Sequence, residues 1–248
     1  MQRTKKTIDY LKKAFPEGYG LETLDPELAE RFENFAFDET VSMDDHTRML
    51  AILAALMGCQ GLEEFQVTAP AALRLGVTAI ELKETIYQAV AYLGMGRVRP
   101  FLRAANDLLA AQAVPLPLAP QAKTTLQDRL AAGSQAQVEI FGEGMRDFWR
   151  SGPEDSRIIN RFLAENCFGD YYTRGGLDLK QREMITFCLL AAQGGCEPQL
   201  KSHAAANMRM GNDKGYLISI LVQCLPYIGY PRTLNALACV RAAAEGQA

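Results

Sequence analysis

Two histidines, one tryptophan and no Cys-x-x-Cys pair occur in 248 residues. The six cysteines, at 59, 167, 188, 196, 224 and 239, follow no regular spacing. This argues against a disulfide scaffold and against a zinc site, and it predicts a reducing, cytoplasmic location without metal. No apolar run approaches the roughly 18 residues that a membrane helix needs, and the N-terminus has no signal-peptide core. A basic surface is also missing. The formal net charge is −3 and dispersed, whereas nucleic-acid binding calls for clustered positive charge. The RTKK cluster at Arg3–Lys6 is too short to count and reads as a solvated terminus.

Strand-like alternation is scarce as well. What the chain has instead are long segments with apolar residues three and four apart. They include TRMLAILAALMG, AIELKETIYQAVAYLG, REMITFCLLAAQGG, KGYLISILVQCLPYIG and RTLNALACVRAAA. Such periodicity predicts amphipathic and buried helices, so the fold class is all-α. Thr78 with Glu81 three residues on forms a capping-box pattern. Gly94 is expected to end a helix in the first half, as are Pro226 and Gly229 in the second. The stretch AVPLPLAPQAKTT, residues 113–125, carries Pro115, Pro117 and Pro120 and reads as a linker that no helix crosses.

The linker separates two similar halves. Arg48, Gly76, Tyr92, Gly94 and Arg97 are spaced by 28, 16, 2 and 3 residues; Arg182, Gly211, Tyr227, Gly229 and Arg232 are spaced by 29, 16, 2 and 3. Leu82 and Gln88 match Leu217 and Gln223 in the same register. A repeat of this length exceeds solenoid periods and reads as a duplicated helical domain packed as a pseudo-dimer. The divisions are 1–112 for the first unit, 113–125 for the linker and 126–248 for the second unit.

The pattern REMI…GCEPQLKSHAAANMRMGN…LPYIGYPRTLNAL resembles the carboxymuconolactone decarboxylase family, which includes the alkylhydroperoxidase D-like proteins. The resemblance covers roughly residues 30–110 and 160–245. It implies an all-helical fold built around a helical hairpin, here a duplicated alkylhydroperoxidase D-like unit. It also implies a homo-oligomer, with a trimer fitting a doubled chain.

Gly194 and Gly195 should break a helix that starts near Asp178, and a second helix should start with Pro198 in its first turn. Helices joined so tightly run antiparallel. Glu183 and His203 then sit roughly 12–17 Å from the turn at about 1.5 Å per residue, level with one another. A carboxylate beside an imidazole fixes its tautomer and raises its basicity. Cys196 falls at the helix start, where dipole and free N–H groups favour thiolate. It lies seven residues before His203, on the same face but about 10 Å along the axis.

In the reductase branch of the family that this pattern resembles, a Cys-x-x-Cys precedes the histidine and works with a glutamate. Cys196 and His203 match, Glu183 matches with one residue of slippage, and the second cysteine position is Gln199. In the first unit, the positions of Glu183 and His203 are Met49 and Thr68, and that of Cys196 is Gly61 or Leu62, so the polar set exists once.

The catalytic candidates are therefore His203, Glu183 and Cys196, and the substrate-binding candidates are Arg182, Gln199, Tyr227 and Arg232. Arg48/Arg182, Tyr92/Tyr227 and Arg97/Arg232 also carry an architectural reading, since each persists in both units. Cys188, Cys224 and Cys239 read as core and His46 as surface. Three functions stay open: cofactor-free acid–base decarboxylation or isomerisation of a small lactone or ring acid, thiol-dependent peroxidase or disulfide reductase activity, and non-enzymatic small-molecule binding.

Overall fold

A computed structural model describes residues 2–246. They are helical, with no strand among the described residues. The elements in order are α1 (Lys5–Ala14), α2 (Pro26–Asn34), α3 (Asp45–Gly58), α4 (Leu62–Arg74), α5 (Ala79–Leu93), α6 (Met95–Ala111), α7 (Arg129–Phe141), α8 (Glu154–Phe162), α9 (Leu179–Gln193), α10 (Glu197–Arg209) and α11 (Lys214–Glu245). Wider π-helical turns extend α2 over Phe35–Glu39 and α8 over Leu163–Tyr172.

Local chemistry accounts for most of the boundaries. Thr78 and Glu81 cap α5 reciprocally, and Asp178 and Gln181 do the same for α9. The turn between α9 and α10 is made by Gly194 and Gly195, at φ +69° and +70°, a backbone region open to glycine without strain. The expected stop at Pro226 does not occur. α11 runs through Pro226 and breaks only at Gly229, with φ 75° and ψ 168°. It is thus two helices end to end, matching α5 and α6, which part at Gly94 with φ 76° and ψ 153°.

α3 and α9 form the centre of the molecule. Every residue from Arg48 to Gly58 and from Arg182 to Ala192 is buried, so these helices are covered all round rather than amphipathic. They approach most closely where a Cβ on Gly58 would lie 2.7 Å from the Ala192 methyl and the Leu189 carbonyl oxygen.

The two halves are joined reciprocally. Arg48 Nε donates to Gln223 Oε1 at 3.0 Å, and Arg182 Nη1 donates to Gln88 Oε1 at 3.2 Å. Each central helix sends its arginine to the glutamine of the other unit.

α7 stands before α8 and its π turns as α1 stands before α2 and its own. It lies against the Leu163–Tyr172 turns at backbone contact distance. A Cβ on Gly133 would fall 1.9 Å from the Ala164 carbonyl oxygen, and one on Gly169 would fall 2.3 Å from the Arg129 carbonyl oxygen. Gly133→Ala is therefore expected to push α7 off this surface and destabilise the protein by about 1–3 kcal/mol or more. Urea unfolding measures this, and an unchanged midpoint would refute the close contact.

Candidate functional site

The carboxylate and imidazole meet as the hairpin geometry predicts. Glu183 Oε2 is 2.8 Å from His203 Nδ1, with Glu183 fully buried and His203 7% exposed. The pairing is held from behind by Asn207, whose Nδ2 donates to the carbonyls of Glu183 at 2.9 Å and of His203 at 2.8 Å. Asn212 in turn donates to Asn207 Oδ1 at 2.8 Å and to the Lys180 carbonyl at 3.1 Å. These amides fix α10 against α9, which is what sets the level of Glu183 and His203.

Two tyrosines complete the set, one from each unit. Tyr172 donates to Glu183 Oε1 at 2.8 Å, and its oxygen lies 2.9 Å from Thr186 Oγ1. Tyr92, from α5, places its hydroxyl 2.7 Å from that of Tyr172 and 3.4 Å from His203 Nε2. The latter distance is long for an N···O hydrogen bond, so Nε2 has a neighbour without a closed bond. Burial, together with Glu183 and Cys167 nearby, raises the Tyr92 and Tyr172 phenols well above the ordinary tyrosine value. Both are neutral donors at pH 7.

The rings of Tyr92 and Phe141 stand edge-on to the His203 imidazole at 5.4 and 5.3 Å. α7 thus caps the site with Phe141. One turn earlier, the buried Gln137 amide has no hydrogen-bond partner among the described residues. Only a water or a bound polar group would satisfy it.

Cys196 stands apart from this network. Its thiol contacts the Leu190 carbonyl at 3.5 Å and Gln193 Nε2 at 3.7 Å. The expected lowering of its pKa is reversed: burial pushes the thiol up, Gln193 offsets this only in part, and the Glu197 carboxylate adds to it. The shared-face expectation fails for a related reason. Cys196 is the N-cap of α10, at φ −140° and ψ 39°, and its thiol turns back to the end of α9 rather than to His203.

The predicted substrate-binding residues also lie elsewhere. Arg182 is fully buried, and its Nη2 donates to Glu84 Oε2 at 3.0 Å and to the carbonyls of Arg174 and Gly175 at 3.1 and 2.9 Å. Its charge is committed to the joint between the units. Gln199 is exposed on α10. Arg232 lines a separate cavity of about 430 Å³ with Cys196 and Gly194.

Tyr227 serves the first unit's version of the site, with its ring 5.9 Å from that of Phe32. There, Met49 and Thr68 replace the carboxylate and the imidazole, both are buried, and the Thr68 hydroxyl is unpartnered among the described residues. Since each unit lends its tyrosine to the other, Tyr92 and not Tyr227 reaches His203. Cys188 and Cys224, with sulfurs 3.9 Å apart, are core residues as expected, and so is Cys239. His46 is less exposed than expected and bonds Glu81 Oε1 at 2.9 Å.

The signal for Tyr92 was in the repeat, but its role depends on the exchange between units, which spacing does not reveal. Tyr172, Cys167 and Phe141 lie before Arg182, where the matched spacing of the repeat begins, and carried no sequence signal.

Two comparisons bear on identity. A profile of the carboxymuconolactone decarboxylase family matches residues 26–107 and again residues 159–242. The 4-carboxymuconolactone decarboxylase of Acinetobacter baylyi (strain ATCC 33305 / BD413 / ADP1) is 24% identical over 119 residues, covering 45% of this chain and 83% of the relative. With two matched regions that together span most of its length, and with the helical hairpin present in both, the chain belongs to the carboxymuconolactone decarboxylase family as a tandem of two family units.

Proposed function

We propose that the protein is a cofactor-free acid–base enzyme that decarboxylates or isomerises a small lactone or ring acid at His203. The observation that carries this reading is the 2.8 Å contact between Glu183 and His203 Nδ1, with Nε2 turned to Tyr92. The Glu183 carboxylate accepts from Nδ1–H and leaves Nε2 as the working nitrogen. In decarboxylation, the C–C bond to the leaving carboxylate breaks and its electron pair moves into the conjugated ring. His203, having first taken a proton from solvent at Nε2, delivers it to the resulting carbanion as carbon dioxide leaves and returns to the neutral Nδ1–H form.

Tyr92 and Tyr172 hold the acid–base pair in line. Tyr172 gives its proton to Glu183, so its oxygen is free to accept from Tyr92 or Thr186. Tyr92 turned towards Tyr172 can accept from a protonated Nε2; turned back, it donates to a neutral one. Arg209 lies beside the end of α7: its guanidinium would be 3.5 Å from a Cβ on Gly142, the residue after Phe141. It is our candidate for holding the substrate carboxylate.

The protein acts as a homo-oligomer, most simply a trimer. α8 has no buried residue and exposes Ile158, Ile159 and Phe162, while α2, its counterpart, exposes Leu28. Apolar faces of this kind at the same element of each unit suit self-association. No described helix is long and apolar enough to cross a membrane.

The test offers 4-carboxymuconolactone, related lactone acids and organic hydroperoxides to the wild type and to Cys196→Ser. Carbon dioxide release or isomerisation is expected in both proteins at similar rates. Peroxide turnover abolished by Cys196→Ser would overturn the proposal in favour of thiol chemistry.

A further inference from the structure

The segment between α6 and α7 closes a second cavity. Leu116–Gln121 lie across α5 and enclose a space of about 330 Å³, lined on its other walls by Lys83, Glu84, Tyr87, Asn106 and Arg174. Its volume falls at the lower end of the roughly 300–1,000 Å³ typical of small-molecule sites. The wall is fastened where Gly175 N donates to the Gln121 carbonyl at 2.8 Å and Thr124 Oγ1 donates to the Gly169 carbonyl at 2.8 Å. No lining residue is shared with the Glu183–His203 site.

The charge in this cavity is unbalanced. Glu84, 1% exposed, takes both Arg174, through Nε and Nη2 at 2.9–3.0 Å, and Arg182, through Nη2 at 3.0 Å. One carboxylate between two guanidinium groups leaves positive charge over. Lys83 adds more, since its ammonium is held only by the neutral Asn106 Oδ1 at 2.6 Å. Burial without an anionic partner lowers the Lys83 pKa. Lys83 keeps two unused donors, and Arg174 Nη1 has no hydrogen bond among the described residues. The Arg174 guanidinium is also fixed in place over the Tyr87 ring, 3.9 Å from its centroid. The linker wall, Leu116–Leu118, is apolar, and Ile80 on α5 adds an apolar side chain to the lining.

We propose that this linker-covered cavity binds a small organic carboxylate, with the anion between Lys83 Nζ and Arg174 and an apolar body against Leu116, Pro117 and Leu118. A carboxylate there completes the donors that the protein leaves open, and charge-assisted bonds of this kind are the stronger class. The apolar wall excludes water from the rest of the ligand.

Titration calorimetry with benzoate tests this on the full-length protein. Wild type should bind one benzoate per chain in this cavity, and neutral benzamide should not compete. Lys83→Gln, on a half-buried side chain with no structural carboxylate partner, should weaken benzoate by about tenfold or more. Leu118→Trp, which fills the cavity, should abolish it, with circular dichroism confirming the fold. His203→Gln should leave the affinity unchanged, which separates this cavity from the proposed catalytic site. No heat with millimolar benzoate, or affinity unaltered in Lys83→Gln, would overturn the proposal. So would binding lost in His203→Gln and kept in Lys83→Gln.

Discussion

Replacing His203 by glutamine should lower the decarboxylation or isomerisation rate by a factor on the order of 10² or more. Glutamine can still donate a hydrogen bond to Glu183, so the fold and the α9–α10 contact should survive. It cannot take up or deliver a proton at the position of Nε2. The expected signature is a large fall in kcat with a Tm close to wild type. Tyr92→Phe should fall between the two proteins, because it removes the hydroxyl beside Nε2 but leaves the Glu183–His203 pair at 2.8 Å intact. The measurement is carbon dioxide release or lactone consumption at several pH values. A His203→Gln protein that keeps most of the wild-type rate would remove the acid–base reading.

The second large effect concerns stability. Arg182→Met should destabilise the protein by roughly 3–5 kcal/mol, the usual cost of leaving buried polar partners without their cation. Arg182 is fully buried and serves Glu84, Gln88 and two backbone carbonyls at once. Removing it leaves Glu84 to Arg174 alone and orphans the carbonyls. Arg48→Met should cost less, because the partners of Arg48 are Gln223, the Tyr10 hydroxyl and the Ala36 carbonyl, with no carboxylate among them. Urea unfolding of both variants checks the ranking. A shift below about 1 kcal/mol for Arg182→Met would show that this network contributes little net stability.

The fold was legible because its determinants are local or periodic. Apolar spacing located the central helices, the capping residues set their starts, and Gly194–Gly195 marked the hairpin turn. The repeat of Arg48, Gln88, Tyr92 and Gly94 in Arg182, Gln223, Tyr227 and Gly229 disclosed the duplication. Glu183 and His203 were paired correctly because helix rise alone sets their level. The predictions that failed depended on what surrounds a side chain. A thiol at a helix start gains from the dipole, but burial at Cys196 outweighs that gain. Arg182, next to Glu183 in sequence, points about 100° away round the helix, into the joint with the other unit. Pro226 was read as a stop, although the bend falls at Gly229.

The exchange of tyrosines between halves has a consequence for how such a chain can change over time. Two separate identical subunits would hold two identical sites, and any substitution would strike both. Once the halves are fused, one half can carry Met49 and Thr68 in place of the carboxylate and imidazole while still lending Tyr92 to its neighbour. Selection on the half without the carboxylate–imidazole pair would then fall on the parts it supplies to the other. The first half is thus a donor, free to vary around Met49 and Thr68 but bound at the residues that cross over.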